Sequence, residues 1–171
     1  MRVFLIAGKA GSGKNEVANL IKKNLSNTVI TSLSKYIKLF ALELTDWDGR
    51  DFNKPRAFLQ NMGDTLRAID EDFLVKRMKE DFTVYKKLAM ENVVVDLRLR
   101  HEIEYFKKIE EIEVITIYVA ASSSSRELSD DEKNHLTEID LDTYNQYDYI
   151  IENHFDKRLE EDVKRILEGR C

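Results

Sequence analysis

Apolar and polar positions along this chain follow two different periods. Short continuous apolar runs stand at Val3–Ala7, Val93–Val95 and Val114–Val119. Runs of this length, bounded by glycine or charge, read as buried parallel strands. Thr28–Ser32 and Tyr149–Ile151 are shorter candidates of the same kind. Between the runs, apolar residues recur at helical spacing. The sets are Val17, Ala18, Ile21 and Leu25; Tyr36, Leu39, Phe40 and Leu44; and Phe58, Met62, Leu66 and Ile69. Further along come Leu74, Met78, Phe82, Tyr85 and Ala89; Ile103, Phe106 and Ile109; and Leu159, Val163 and Ile166. Each set predicts a helix with those residues inward. Strands separated by helices imply an α/β fold with a parallel sheet covered on both faces. Pro55, the only proline, sits where a helix can begin.

A length of 171 residues fits one domain, large enough to hold a core without staples. The single cysteine, Cys171, excludes an internal disulfide, which suits a reducing compartment, and the expected location is cytoplasmic. The apolar run near the start is too short for a membrane span or a secretory signal. A formal net charge of −5 argues against a general nucleic-acid or membrane-surface binder. It leaves room for a local basic site that takes one phosphorylated small molecule. Ser122 to Ser125, with charged residues on to Lys133, reads as a polar loop.

The strongest chemical signal follows the first strand. Gly8-Lys9-Ala10-Gly11-Ser12-Gly13-Lys14-Asn15 matches G-x-x-x-x-G-K between a strand and a helix. Glycines let backbone N–H groups curl around a polyphosphate, and the helix that follows aims its positive end at the same anion. Lys14 adds a charge for the outer phosphates. Gly8, Ala10, Gly11, Ser12, Gly13, Lys14, Asn15 and Glu16 are therefore the expected ATP-binding set. Asn15 stands where a serine or threonine usually ligates magnesium. Its amide oxygen can ligate, directly or through water.

Asp96 ends the run Val93–Val95 and is the candidate organiser of Mg2+. Arg98 and Arg100 follow at alternating positions, so an extended backbone would point all three side chains one way. Of the two arginines, Arg98 is the candidate phosphate contact. In the helix after Pro55, Arg56, Gln60, Gly63 and Arg67 fall on one narrow face, and Phe58, Met62, Leu66 and Ile69 on another. Two arginines with a glutamine and a glycine between them can grip a phosphorylated ligand. A glycine costs a helix interior about 1 kcal/mol relative to alanine, which a close ligand or backbone would explain.

Together these segments resemble the nucleoside monophosphate kinase superfamily, most closely the deoxynucleoside monophosphate kinases of bacteriophages. The segments are GKAGSGKNEVANL from Gly8, RAFLQNMGDTLRAIDEDFLVKRM from Arg56, VVVDLRLRHEIEYF from Val93 and YDYIIEN from Tyr147. His135, Thr137 and Glu138 are similar to a His–Ser-Glu element of that family. The resemblance spans nearly the whole chain in the right order. It implies a three-layer P-loop kinase fold with a five-stranded parallel sheet. One domain over 1–171 would carry a helical monophosphate-binding insertion at 34–87 and a small lid at 121–134. It also implies Arg56 and Arg67 as monophosphate ligands with Lys35, Gln60 and Gly63 beside them. Asp96 would organise magnesium, Arg98 clamp a phosphate, and Asn153 lie beside the nucleobase of ATP. Lys14, Asp96, Arg98 and Arg126 are then the catalytic set. Arg126 is the one arginine between Ser122 and Asp131, where such lids usually carry several.

The expected activity is transfer of the ATP γ-phosphoryl group to a (deoxy)nucleoside 5′-monophosphate. One alternative is a kinase of another small substrate such as dephospho-coenzyme A. The other is a nucleotide-binding regulatory protein, favoured by Asn15 and the arginine-poor lid and disfavoured by the paired arginines and Asp96.

Overall fold

The computed structural model describes residues 1–121 and 140–169. Arg126, the lid segment beyond residue 121, His135, Thr137, Glu138 and Cys171 lie outside them. The five strands are β1 (Arg2–Ala7), β2 (Thr28–Ser32), β3 (Asn92–Asp96), β4 (Glu113–Ala121) and β5 (Tyr149–Asn153). The described α-helices are α1 (Lys14–Asn24), α2 (Lys35–Leu44), α3 (Arg56–Ile69), α4 (Phe73–Lys87), α5 (Arg100–Lys107) and α6 (Arg158–Leu167). The sheet runs in the order β2-β3-β1-β4-β5, and every neighbouring pair is parallel. This is the three-layer α/β arrangement of a P-loop kinase.

Alternation along the central strands divides the core in two. Val3, Leu5 and Ala7 of β1, with Val93 and Val95 of β3, face Ile37, Leu74, Met78, Phe82, Ile103 and Phe106. Phe4, Ile6 and Val94 face the other way, onto Val17 and Ile21 of α1 and Leu159, Val163 and Ile166 of α6. A strand buried on both faces has no polar side to show, which is why β1 and β3 read as unbroken apolar runs. Burying one such side chain is worth about 1.5–3 kcal/mol.

Two predicted faces are corrected. The α2 stripe was expected at Tyr36, Leu39, Phe40 and Leu44, but Leu39, Phe40 and Leu44 are exposed and Ile37 and Ala41 are buried. The helix is apolar almost all round, so periodicity alone does not select its inward side. In α3, Ile69 is exposed, Gly63 is the buried position, and Leu59, Met62 and Leu66 pack on the core. Ile37 of α2 approaches α3 at Gly63, where an added Cβ would lie 3.4 Å from its Cδ1. Ala89 falls outside α4, in a left-handed conformation just after it, with φ 56°.

Among the described residues, the phosphate loop and Asp96 stand at the C-terminal edge of the sheet. Asp96 pairs with Ile6 on one side and Ser32 on the other, so β1, β2 and β3 end level with one another. In a parallel sheet the crevice beyond these strand ends, where the strand order reverses, is where ligands bind.

Candidate active site

The loop from Gly8 to Gly13 leaves β1 at this edge and enters α1. Gly8 has φ 144°, and a Cβ there would stand 2.4 Å from the Val119 carbonyl oxygen of β4. Gly13 has φ 94°, and its Cβ would stand 2.1 Å from Asn153 Nδ2. Both positions require glycine for space as well as for conformation. The loop is braced from within and from β5. Lys14 Nζ donates to the Gly8 and Lys9 carbonyls at 2.6 and 2.8 Å. Asn153 Nδ2 donates to the Ser12 carbonyl at 3.0 Å, while its Oδ1 accepts from the Phe155 N–H at 2.8 Å. Asn153 is only 1% exposed; one end of its amide braces the loop and the other holds the chain just after β5. Ser12 is buried beside it, and Asn15 and Glu16 are exposed at the start of α1.

Two clefts meet at Asp96. The first is lined by Lys14, Asn15, Ser32, Lys35 and Lys38, between the start of α1, where the loop ends, and the ends of β2 and β3. The second lies between α3 and the β3–α5 connection and holds Arg56, Gln60, Gly63, Arg67 and Arg98. Asp96 and Lys38 line both. The structure thus brings the residues singled out on α3 into one cleft with Arg98, adjacent to the phosphate loop. Asp96 Oδ2 lies 3.6 Å from Arg98 Nε. Its Oδ1 is buried and finds no hydrogen-bond partner among the described residues. A buried carboxylate oxygen left unmatched at the loop, next to Asn15, fits a magnesium ion or its water shell. The glycine-lined loop fits a polyphosphate.

Lys35 lines the loop-side cleft rather than the α3 cleft. Its ammonium pairs with Asp81 and contacts the Tyr85 hydroxyl at 2.9 Å. Tyr36 donates to the same Asp81 at 2.7 Å. Burial alone would raise the Asp81 carboxyl, but the Lys35 and Tyr36 bonds outweigh it and hold the group below the usual range. Burial, reinforced by Asp81, pushes the Tyr36 phenol well up. These contacts tie the start of α2 to α4. Arg100 does not follow Arg98 into the α3 cleft. It begins α5, its N–H donates to Asp140 at 2.5 Å, and its guanidinium lies over the Tyr144 ring.

Three charged residues of the α3 cleft were not singled out from the sequence: Lys38, Lys54 and Glu102. Burial, then the Lys38 charge, hold the Lys54 ammonium below the usual lysine range; Asp51, 3.7 Å away, opposes this, and Arg56 and Arg98 add to it. Five cations therefore face one small cleft, against the carboxylates of Asp96 and Glu102. Glu102 is 2% exposed, and burial raises its carboxyl above the usual value even though the Arg98 and Leu99 N–H groups bond to it. Lys38 lies one turn into α2, on the side that faces neither core. Lys54 belongs to a connection with no period to read. Glu102 had a signal, since an acid three residues past a helix start is a reverse cap.

No helix among the described residues is long and apolar enough to cross a membrane. No family model matches the sequence. Among solved structures, the chain is similar to shikimate kinase from Aquifex aeolicus, with 22% identity, coverage of 99% of this chain and 95% of that one, and a TM-score of 0.52. It is similar to thymidylate kinase from Ehrlichia chaffeensis, with 16% identity, coverage of 97% and 98%, and a TM-score of 0.52. A sugar kinase from Janibacter sp. gives 12% identity, coverage of 98% and 93%, and a TM-score of 0.50. At these identities what is shared is the fold, end to end: the chain has the architecture of P-loop kinases that act on small substrates.

Proposed function

We propose that this protein transfers the γ-phosphoryl group of ATP to a (deoxy)nucleoside 5′-monophosphate. The observation that carries the reading is the pair of clefts sharing Asp96, one reaching Lys14 and Asn15 at the end of the phosphate loop and one lined by five cations. Lys38, Lys54, Arg56, Arg67 and Arg98 outnumber the carboxylates of Asp96 and Glu102 that line the same cleft, and this excess of positive charge favours an acceptor with an anionic group. A phosphate dianion matches them, and Arg56, Arg67 and Arg98 can each offer it paired N–H donors. Leu33, Ile37, Leu59 and Leu74 supply apolar wall, and Gln60 a polar contact, for the rest of the acceptor.

In this reading Gly8 to Lys14 hold the ATP phosphates, and Arg56, Arg67 and Arg98 hold the acceptor phosphate in line with them. Asp96 and Asn15 would hold magnesium, which neutralises charge on the transferring phosphoryl group when bound. An acceptor phosphate oxygen attacks the γ-phosphorus and the bond to the ADP oxygen breaks. The nucleophile is already anionic, so no general base is required. The protein contributes position and charge compensation. The helices α2 to α4 would be the acceptor-binding insertion, and a cytoplasmic location would suit nucleotide substrates.

The test is ADP formation from ATP and Mg2+ against a panel of ribo- and deoxyribonucleoside monophosphates. Dephospho-coenzyme A, shikimate and simple sugars serve as comparison acceptors. Turnover with one or more monophosphates above the acceptor-free rate is expected. Turnover only with a comparison acceptor moves the protein to another substrate. Tight ATP binding with no turnover at all points to the regulatory reading.

A further inference from the structure

Glu102 is a fully buried carboxylate that the transfer chemistry above does not use. It sits three residues after Leu99, at the third position of α5. One oxygen, Oε2, accepts both the Arg98 N–H at 2.7 Å and the Leu99 N–H at 2.9 Å. The other, Oε1, faces Arg67 Nη2 across the cleft wall at 3.6 Å. Capping alone needs only an acceptor oxygen, which a glutamine provides without charge. Burying a carboxylate costs far more than burying an amide unless a cation is placed against it. The cation here is Arg67.

Arg67 lies across Gly63. Its Nη1 would be 3.0 Å from a Cβ on Gly63, so the side chain passes directly over that glycine. Asp64 approaches the same Nη1 from the solvent side at 3.6 Å. Arg67 is therefore held over Gly63 between two carboxylates, one exposed and one buried. Arg98 is fixed at its backbone by the same buried side chain. The two arginines come from α3 and from the β3–α5 connection, which are far apart in sequence, and Glu102 is the group that touches both.

We propose that Glu102 is the positioning residue of the acceptor cleft, setting Arg67 through its guanidinium and Arg98 through its backbone so that both meet one acceptor phosphate. This rests on the reading of that cleft as the monophosphate site. Glu102 touches neither substrate and acts through the two arginines.

Glu102→Gln separates the cap from the charge. With its oxygen on the two backbone N–H groups, the amide nitrogen is left against the Arg67 guanidinium, donor facing donor. Two readouts are taken. The first is the Arg67 Nε–Hε resonance in labelled protein, identified by its loss in Arg67→Lys. It should shift and broaden in Glu102→Gln, and it needs no substrate. The second is acceptor kcat/KM in a cycle with Arg67→Ala. Glu102→Gln should lower it roughly 10- to 100-fold, as misplaced transition-state contacts do, with ATP affinity unchanged. The double variant should be no slower than Arg67→Ala alone. Should Glu102→Gln fail to fold, Glu102→Asp keeps the charge but is one methylene too short to reach both partners, and the same shift and broadening of the Arg67 resonance are expected. An unchanged Arg67 resonance, or losses that multiply in the double variant, overturns the proposal. If no monophosphate is phosphorylated by the native protein, the functional reading falls, and the resonance still decides whether Glu102 sets Arg67.

Discussion

Lys14 and Asn153 sit on opposite sides of the phosphate loop, and the structure gives them different work. Lys14 Nζ bonds two loop carbonyls at 2.6 and 2.8 Å, so its charge is already aimed inside the turn that a polyphosphate would fill. Lys14→Met should cut ATP affinity and remove transfer while circular dichroism stays native; calorimetric binding equal to the native protein would contradict this role. Asn153 braces the Ser12 carbonyl from β5. Asn153→Ala should weaken ATP binding by about 1–2 kcal/mol, roughly 5- to 30-fold, through a loosened loop. A contact to the base would behave differently, because the loss would then depend on which nucleoside triphosphate is offered. Affinities for ATP and GTP in the variant distinguish the two, and equal losses are expected. Glu102 adds a pH signature. Its folded carboxyl keeps its proton to higher pH than the ordinary value of 4.5, with Arg67 and His101 pulling the other way. The folded state thus binds more protons than the unfolded one. The stability this confers is present below about 4.5 and is lost as pH rises through the folded value. Glu102→Gln lacks that slope, so its unfolding free energy relative to the native protein should grow as pH rises from about 4.5. Urea unfolding at several pH values checks this, and a pH-independent difference would contradict it.

At the scale of elements, α3 is where sequence and structure diverge most usefully. The arginine face was legible, because Arg56, Gln60, Gly63 and Arg67 recur at helical spacing and all line one cleft. The apolar face was legible at Met62 and Leu66, which pack on the core, but not at Leu59 or Ile69, because the side a helix buries depends on what packs against it. Here the neighbour is Ile37, which meets α3 at Gly63. For α2 the pattern carried even less, since apolar residues surround it. Strands β1 and β3 were legible as unbroken apolar runs because both of their faces are buried. The phosphate loop was legible because its spacing is a backbone requirement. Lys38, Lys54 and Glu102 were not, since only the folded chain brings them to the α3 cleft. The helix itself makes a clear demand. Arg67→Ala should raise the acceptor KM, lower kcat, or both, by a factor of about 10 to 150, the worth of one charge-assisted contact. ATP affinity should barely change, because Arg67 lines the α3 cleft and not the loop-side cleft. Arg56→Ala should act in the same direction. Steady-state kinetics with both substrates varied will show whether the loss falls on the acceptor or on ATP.

The whole molecule places two clefts that share Asp96 and Lys38 side by side at the C-terminal edge of one sheet. Parallel pairing sets β1, β2 and β3 level, so Asp96 lies between the phosphate loop and the cationic cleft. The neighbours of similar fold have acceptors as different as shikimate and thymidylate in their names, so the sheet alone does not choose the substrate. In the proposed function the choice belongs to the α3 cleft and its five cations. If both clefts hold phosphate-bearing nucleotides in line, one molecule with two nucleosides joined through a polyphosphate chain should fill them together. Calorimetry of that compound against ATP, each with Mg2+, is the most direct test. The account predicts affinity for the linked compound some 100-fold or more above that for ATP, because the second contact becomes intramolecular. The excess should vanish in Arg67→Ala. Affinity no greater than that of ATP, or an excess untouched by Arg67→Ala, would contradict a monophosphate site beside the loop.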